Sequence, residues 1–232
     1  MTTAHTLTLS CKDRPGVVAA VSSVMYDSGA NILEAQQFED RETGNFFMRV
    51  LFEGQTEILS FERKFLPIVN DFEIEWKLRD NSVRKRVLLL VSKFDHCLGD
   101  LLYRYRIGEL PIDPVGIISN HPQSALSLTT FGNIPYHHFP ITRETKPQQE
   151  AQIKKVVDDT CADLVILARY MQILSDDMAS FLEGRCINIH HSFLPGFKGA
   201  KPYHQAHARG VKMIGATAHF VTSDLDEGPI IA

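Results

Sequence analysis

Val87-Leu88-Leu89-Leu90-Val91-Ser92 is an unbroken apolar run that stops at a small polar residue. A strand with one wet face would alternate; a run without alternation belongs to a parallel strand covered on both sides. Further strand candidates follow it at Val115–Ser119, Tyr136–Phe139, Leu164–Leu167, Cys186–His190 and Ala216–Val221. Helix-like stretches lie between them, notably Gln148–Thr160 and Ser175–Leu182. Strands alternating with helices predict an open, mostly parallel α/β sheet of Rossmann type. Ligands of such sheets bind beyond the carboxyl ends of the strands, which here are Ser92, Asn120, Ala168-Arg169-Tyr170 and His190.

Upstream of that run the pattern changes. Thr6-Leu7-Thr8-Leu9-Ser10 alternates with period two. Asp13-Arg14-Pro15-Gly16 makes a turn, and Val17, Val18, Val21, Val24 and Met25 then recur at helical spacing. Ser28-Gly29-Ala30-Asn31 ends that helix. Strands are expected at Ile32–Phe38 and Phe46–Phe52, a second helix through Ile58, Phe61, Phe65, Leu66 and Ile68, and a closing strand at Phe72–Leu78. The order is βαββαβ. Residues 1–80 therefore form one domain, 81–86 a charged linker, and 87–232 a second domain. That second domain reads as truncated at its C-terminus, because Ile230-Ile231-Ala232 stops inside an expected strand.

Composition excludes several classes. The chain of 232 residues has a net charge of -4 without a basic block, so nucleic-acid binding gains no support. No apolar run approaches the roughly 18 to 20 residues needed to cross a bilayer. Met1-Thr2-Thr3-Ala4-His5 lacks the basic-then-apolar layout of a secretion signal. Cys11, Cys97, Cys161 and Cys186 form no CxxC pair, and the chain reads as cytoplasmic, with reduced thiols.

The chemistry is concentrated at Ile187-Asn188-Ile189-His190-His191-Ser192-Phe193-Leu194-Pro195 and at Leu225-Asp226-Glu227-Gly228-Pro229-Ile230. Residues i and i+2 of a strand share a face, so Asn188 and His190 can converge on one atom. An amide donor beside an imidazole suits a carbonyl under attack. Asp226 could orient His190 or carry a proton. His190, His191, His204, His207 and His219 are metal-ligand candidates, with His204 and His207 three apart on an expected helix, but no Cys or carboxylate has an equally natural place in such a site and no metal is expected.

Asn188, His190 and Asp226, flanked by Ser192-Phe193-Leu194-Pro195 and His219-Phe220-Val221-Thr222, resemble the catalytic set of the formyltetrahydrofolate-using enzymes, over roughly residues 85–232. The resemblance implies acyl transfer: Asn188 and His190 hold the oxyanion, and Asp226 moves the proton. It also implies that Met171, Gln172, Ile173 and Leu174, with Val221 and Leu225 opposite, wall a pterin ring. Asp13-Arg14-Pro15-Gly16 and Ser28-Gly29-Ala30-Asn31-Ile32-Leu33 resemble an ACT domain. That implies a regulatory or dimerising module, a homo-oligomer, and a possible amino-acid effector near Gly16 and Asn31.

Two departures from the transferases point to hydrolysis. A phosphate-cradling loop is glycine-rich, whereas Ser92-Lys93-Phe94-Asp95-His96-Cys97-Leu98-Gly99-Asp100 is bulky and acidic. Phe197-Lys198-Gly199-Ala200-Lys201-Pro202-Tyr203 resembles the deformylase form of its loop. The expected reaction is hydrolysis of 10-formyltetrahydrofolate to formate and tetrahydrofolate, with no cofactor beyond the folate, supplying formate for purine synthesis and balancing one-carbon pools. A formyltransferase with an amine acceptor, and an amino-acid-sensing module with an inactive catalytic half, remain the alternatives.

Overall fold

The computed structural model describes residues 3–54, 58–128, 130–190, 192, 194, 196 and 202–231. The chain divides into two compact units, Met1–Val83 and Arg84–Ala232.

The first unit is built as β1 (Thr3–Lys12), α1 (Val17–Asp27), β2 (Asn31–Asp40), β3 (Asn45–Gly54), α2 (Ile58–Phe72) and β4 (Glu75–Asp80). Its sheet runs β2-β3-β1-β4 and all its pairings are antiparallel. Period-two alternation buries Leu7, Leu9 and Cys11 from β1 against Phe46, Met48, Val50 and Phe52 from β3. Val17, Val21, Val24 and Met25 close that face from α1, while Val18 points outward at 38% exposure. Phe52, Phe61, Phe65 and Trp76 form a run of ring contacts through the core. Gly16 precedes α1 at φ 102, a left-handed conformation that favours glycine.

Phe72 is not in the closing strand. α2 continues through Pro67 to Phe72, Glu73 reverses the chain at φ 51, and β4 begins only at Glu75. The apolar count favoured an earlier strand start, but Phe72 stays helical and packs partly buried against the core, with Arg14 stacked 4.0 Å from its ring centroid.

The second unit runs β5 (Lys85–Val91), α3 (His96–Arg106), β6 (Ile112–Ser119), β7 (Tyr136–His138), α4 (Lys146–Asp159), β8 (Leu164–Leu167), α5 (Asp176–Phe181), β9 (Cys186–His190), α6 (Pro202–Ala208) and β10 (Thr217–Phe220). Lys85 and Arg86 thus lie within β5. The sheet order is β10-β9-β8-β5-β6-β7. All pairings are parallel except β10 against β9. Val87 to Val91 are wholly buried, as an unbroken apolar run requires. Leu88 and Leu90 face Ile153, Val157 and Met178 of α4 and α5. Val87, Leu89 and Val91 face Leu98 and Leu102 of α3.

The expected loop Ser92–Asp100 is shorter than its composition suggested. α3 starts at His96, and Leu98 is fully buried as part of the core. β9 is only half-buried along Ile187–Ile189, since β10 joins it as a short edge strand. The loop Phe197–Lys201 lies outside the described residues, as do His191, Phe193 and Pro195.

Candidate active site

β9 carries Asn188 and His190 to its carboxyl end, and both line one cavity of about 690 Å³. β10 lies antiparallel beside it with Asn188 opposite His219 and His190 opposite Thr217. Thr217 fixes the exit of β9: its hydroxyl donates to the Ser192 carbonyl at 2.7 Å and accepts from Leu194 N–H at 3.2 Å.

Beyond β10 the chain turns back through Asp226, and this return is tight. Phe220 N–H donates to the Pro229 carbonyl at 2.9 Å, and Ile231 N–H donates to the Ala218 carbonyl at 2.7 Å. Gly228 permits the approach: a Cβ there would lie 1.8 Å from the Phe220 carbonyl oxygen. Asp226 itself adopts φ 58, a costly conformation for a residue with a side chain.

This packing brings Asp226 Oδ1 to 3.3 Å from His190 Nδ1, with both side chains 7% exposed. His219 is the third buried polar partner. Its Nδ1 lies 2.9 Å from the Phe220 carbonyl, which can only accept, so Nδ1 carries the proton and Nε2 is the acceptor nitrogen. Nε2 receives Asn188 Nδ2–H at 3.2 Å and lies 3.8 Å from Asp226 Oδ1. The amide of Asn188 is therefore turned by a fixed ring, leaving its second N–H for a ligand. His190 Nδ1 lies within ion-pair distance of Asp226, and its ring lines the cavity beside Asn188.

The opposite wall is the segment after β8. Met171, Gln172, Ile173 and Leu174 all line the cavity, and so do Val221 and Leu225. Met171 and Ile173 are 57% and 63% exposed, so they are not core residues; Leu174 and Val221 pack partly buried against the core. Exposed apolar side chains around a concave site suit a flat, largely apolar ligand.

α4 braces this segment. Buried Gln149 donates to the Tyr170 hydroxyl, and buried Glu150 accepts from both Ser175 N–H, at 2.9 Å, and the Ser175 hydroxyl. Ser175 in turn caps α5 by accepting Met178 N–H at 3.2 Å. Burial pushes the Tyr170 hydroxyl above its ordinary range.

Sequence reasoning treated His219 only as a flank of the motif and a metal candidate, and did not anticipate Thr217, Gly228, Gln149 or Glu150. The alternation Thr217-Ala218-His219 signals which residues share a face, but not the register against β9 that makes them partners. His204 also lines the cavity, from α6. Among the described residues no three His, Cys, Asp or Glu side chains gather in a metal-holding group. In the first unit Gly16 lies before α1 and Asn31 opens β2; both are exposed, on separate elements.

Residues 85–232 match the formyl transferase family, and residues 5–64 match the ACT domain. Formyltetrahydrofolate deformylase of Corynebacterium sp. (strain P-1) is 51% identical over 98% of this chain and 80% of its own length. The crystal structure of a formyltetrahydrofolate deformylase from Pseudomonas syringae aligns with a TM-score of 0.91 at 44% identity, covering 100% of this chain and 78% of that one. The Burkholderia mallei enzyme aligns at 0.87 and 52% identity, covering 99% and 82%. The chain belongs to the formyltetrahydrofolate deformylase family.

Proposed function

We propose that this chain hydrolyses 10-formyltetrahydrofolate to formate and tetrahydrofolate, as the names of its relatives describe. The observation that carries the reading is the convergence of Asn188, His190 and Asp226 on one cavity walled by Met171 to Leu174. Its volume falls in the range of small-ligand and cofactor sites.

In the reaction a water oxygen attacks the formyl carbon and the carbonyl oxygen gains charge. Asn188 N–H and His190 stabilise that oxygen, a contribution of roughly 3 to 4 kcal/mol for a well-placed donor. The His190–Asp226 pair takes a proton from the water and returns one to N10, after which the C–N10 bond breaks. The folate is the substrate, and the chemistry as written uses only side chains of this chain. Met171, Gln172, Ile173, Leu174, Val221 and Leu225 bind the pterin end.

The first unit acts as a dimerising and regulatory module, with Gly16 and Asn31 as contacts for an amino-acid effector. Support comes from the match to the ACT domain and from β2, a sheet-edge strand with Ile32, Leu33 and Phe38 exposed. Four free cysteines suit a reducing cytoplasm, where the released formate would feed purine synthesis and rebalance one-carbon pools.

The test is formate release from 10-formyltetrahydrofolate with no acceptor present. The unaltered chain should release formate, and His190→Ala and Asp226→Asn should lose the activity while staying folded. Release only when an amine is added would reassign the chain as a transferase.

A further inference from the structure

The strand order of the second sheet reverses between β5 and β8: β6 and β7 extend to one side, β9 and β10 to the other. In open α/β sheets this reversal leaves a crevice beyond the carboxyl ends of the two strands, through which ligands enter. Here the segments that follow the two strands are tied together. Ser92, directly after β5, donates its N–H to the Arg169 carbonyl at 3.2 Å and its hydroxyl to the Tyr170 carbonyl. The Arg169 guanidinium carbon stands 5.0 Å from the Phe94 ring centroid, and Nη1 lies 3.3 Å from His96 Nε2.

Stability does not account for this arginine. It sits at φ 64, in the region where side chains are disfavoured. Its Nε is buried with no hydrogen-bond partner. Among the described residues no carboxylate pairs with it. Arg169 lines the cavity that holds Asn188, His190 and Asp226, whereas Phe94 and His96 lie outside that lining. The arginine thus stands between the cavity lining and the exposed pair Phe94 and His96.

We propose that Arg169, clamped on Phe94 and His96, selects water as the nucleophile by closing the crevice to amine acceptors. The inference rests on the hydrolase reading and supplies its specificity determinant. An amine attacks an acyl carbon more readily than water does, so a hydrolase working among cellular amines must exclude them physically. With the crevice open, an amine nitrogen would bond to the formyl carbon as the C–N10 bond breaks. One proton would leave the amine and one would reach N10, giving a formamide and tetrahydrofolate. The positive charge of Arg169 adds electrostatic exclusion of ammonium ions.

The experiment compares the full chain with Arg169→Gly and Phe94→Ala, each given 10-formyltetrahydrofolate and glycinamide as the amine probe. Formate and N-formylglycinamide are quantified together, and the reading is their ratio. Arg169→Gly should raise the share of N-formylglycinamide at least tenfold over the unaltered chain, and Phe94→Ala should raise it less. Glycine suits φ 64, so the first variant should keep its fold, checked by thermal melting. Phe94→Ala loosens the clamp without touching the cavity lining and decides the matter if the first variant melts early. A ratio within twofold of the unaltered chain in folded variants that still release formate would overturn the proposal. No formate from the unaltered chain without glycinamide would overturn the hydrolase reading, and this inference with it.

Discussion

Gly228→Ala offers a direct test of how Asp226 is placed. The added Cβ would start 1.8 Å from the Phe220 carbonyl oxygen, where such contacts do not fall below 3.0 Å. The return segment must therefore retreat from β10 by about 1.2 Å, the difference between these values. That movement would stretch the 2.9 Å Phe220–Pro229 hydrogen bond and strain the Ile231–Ala218 bond beside it. Losing both costs roughly 1 to 3 kcal/mol, at about 0.5 to 1.5 kcal/mol each. Asp226 lies two residues away, and its 3.3 Å contact with His190 would open beyond hydrogen-bond reach. A misplacement of about 1 Å in a catalytic group can lower turnover on the order of a hundredfold. Formate release should then fall by about that factor, and Asp226→Asn should add little to the loss. Paired measurements of kcat and melting temperature make the check. A Gly228→Ala chain with kcat within twofold of the parent would refute the packing argument.

Four further outcomes follow from the structure. Asn188→Ala should lower kcat by about 10² to 10³, the usual cost of an oxyanion donor. His219→Phe, which frees the Asn188 amide to rotate, should lower kcat less, and single-turnover kinetics would separate the two. Glu150→Gln turns one acceptor facing Ser175 into a donor; it should cost about 1 to 3 kcal/mol and raise KM for the folate more than it lowers kcat. Burial pushes the Cys186 thiol up to about 12 from 9.0. A raised thiol ionises later in the folded chain than in the unfolded one, so its contribution to stability is full below about pH 9 and is lost as pH climbs towards 12. At about 1.4 kcal/mol per unit this is roughly 4 kcal/mol. Urea titrations from pH 8 to pH 11 should show a shallower decline for Cys186→Ala than for the parent chain.

Much of the architecture was legible because burial writes itself into local pattern. The run Val87–Val91 announced a covered strand, and the alternation in Thr6–Ser10 announced a half-buried one. Phe72 was misread because an aromatic residue between a helix and a strand suits either, and the left-handed turn at Glu73 that separates them leaves no compositional mark. His96 to Asp100 read as loop because Leu98 is a single buried residue among polar ones. The convergence of Asn188, His190 and Asp226 on one cavity was legible through their flanks. His219, Gly228 and Glu150 were not, since each matters through a partner set by register or by the approach of distant segments. Asn188 and His219 meet only because β10 pairs with β9 at one offset, and a lone glycine before a proline says nothing about a carbonyl oxygen on another strand.

Arg169, Met171 and Asp226 share more than a cavity wall: all three hold positive φ values, at 64, 53 and 58. Left-handed backbone costs a residue with a side chain about 1 to 2 kcal/mol, so the site sits on a local deficit that the rest of the fold offsets. Laboratory evolution for heat tolerance would feel that deficit first. Glycine at any of the three would relieve it, though glycine's greater freedom in the unfolded chain returns roughly 0.5 to 1 kcal/mol. A thermostability screen blind to catalysis would then gather replacements at these positions and erode the very chemistry the scaffold carries.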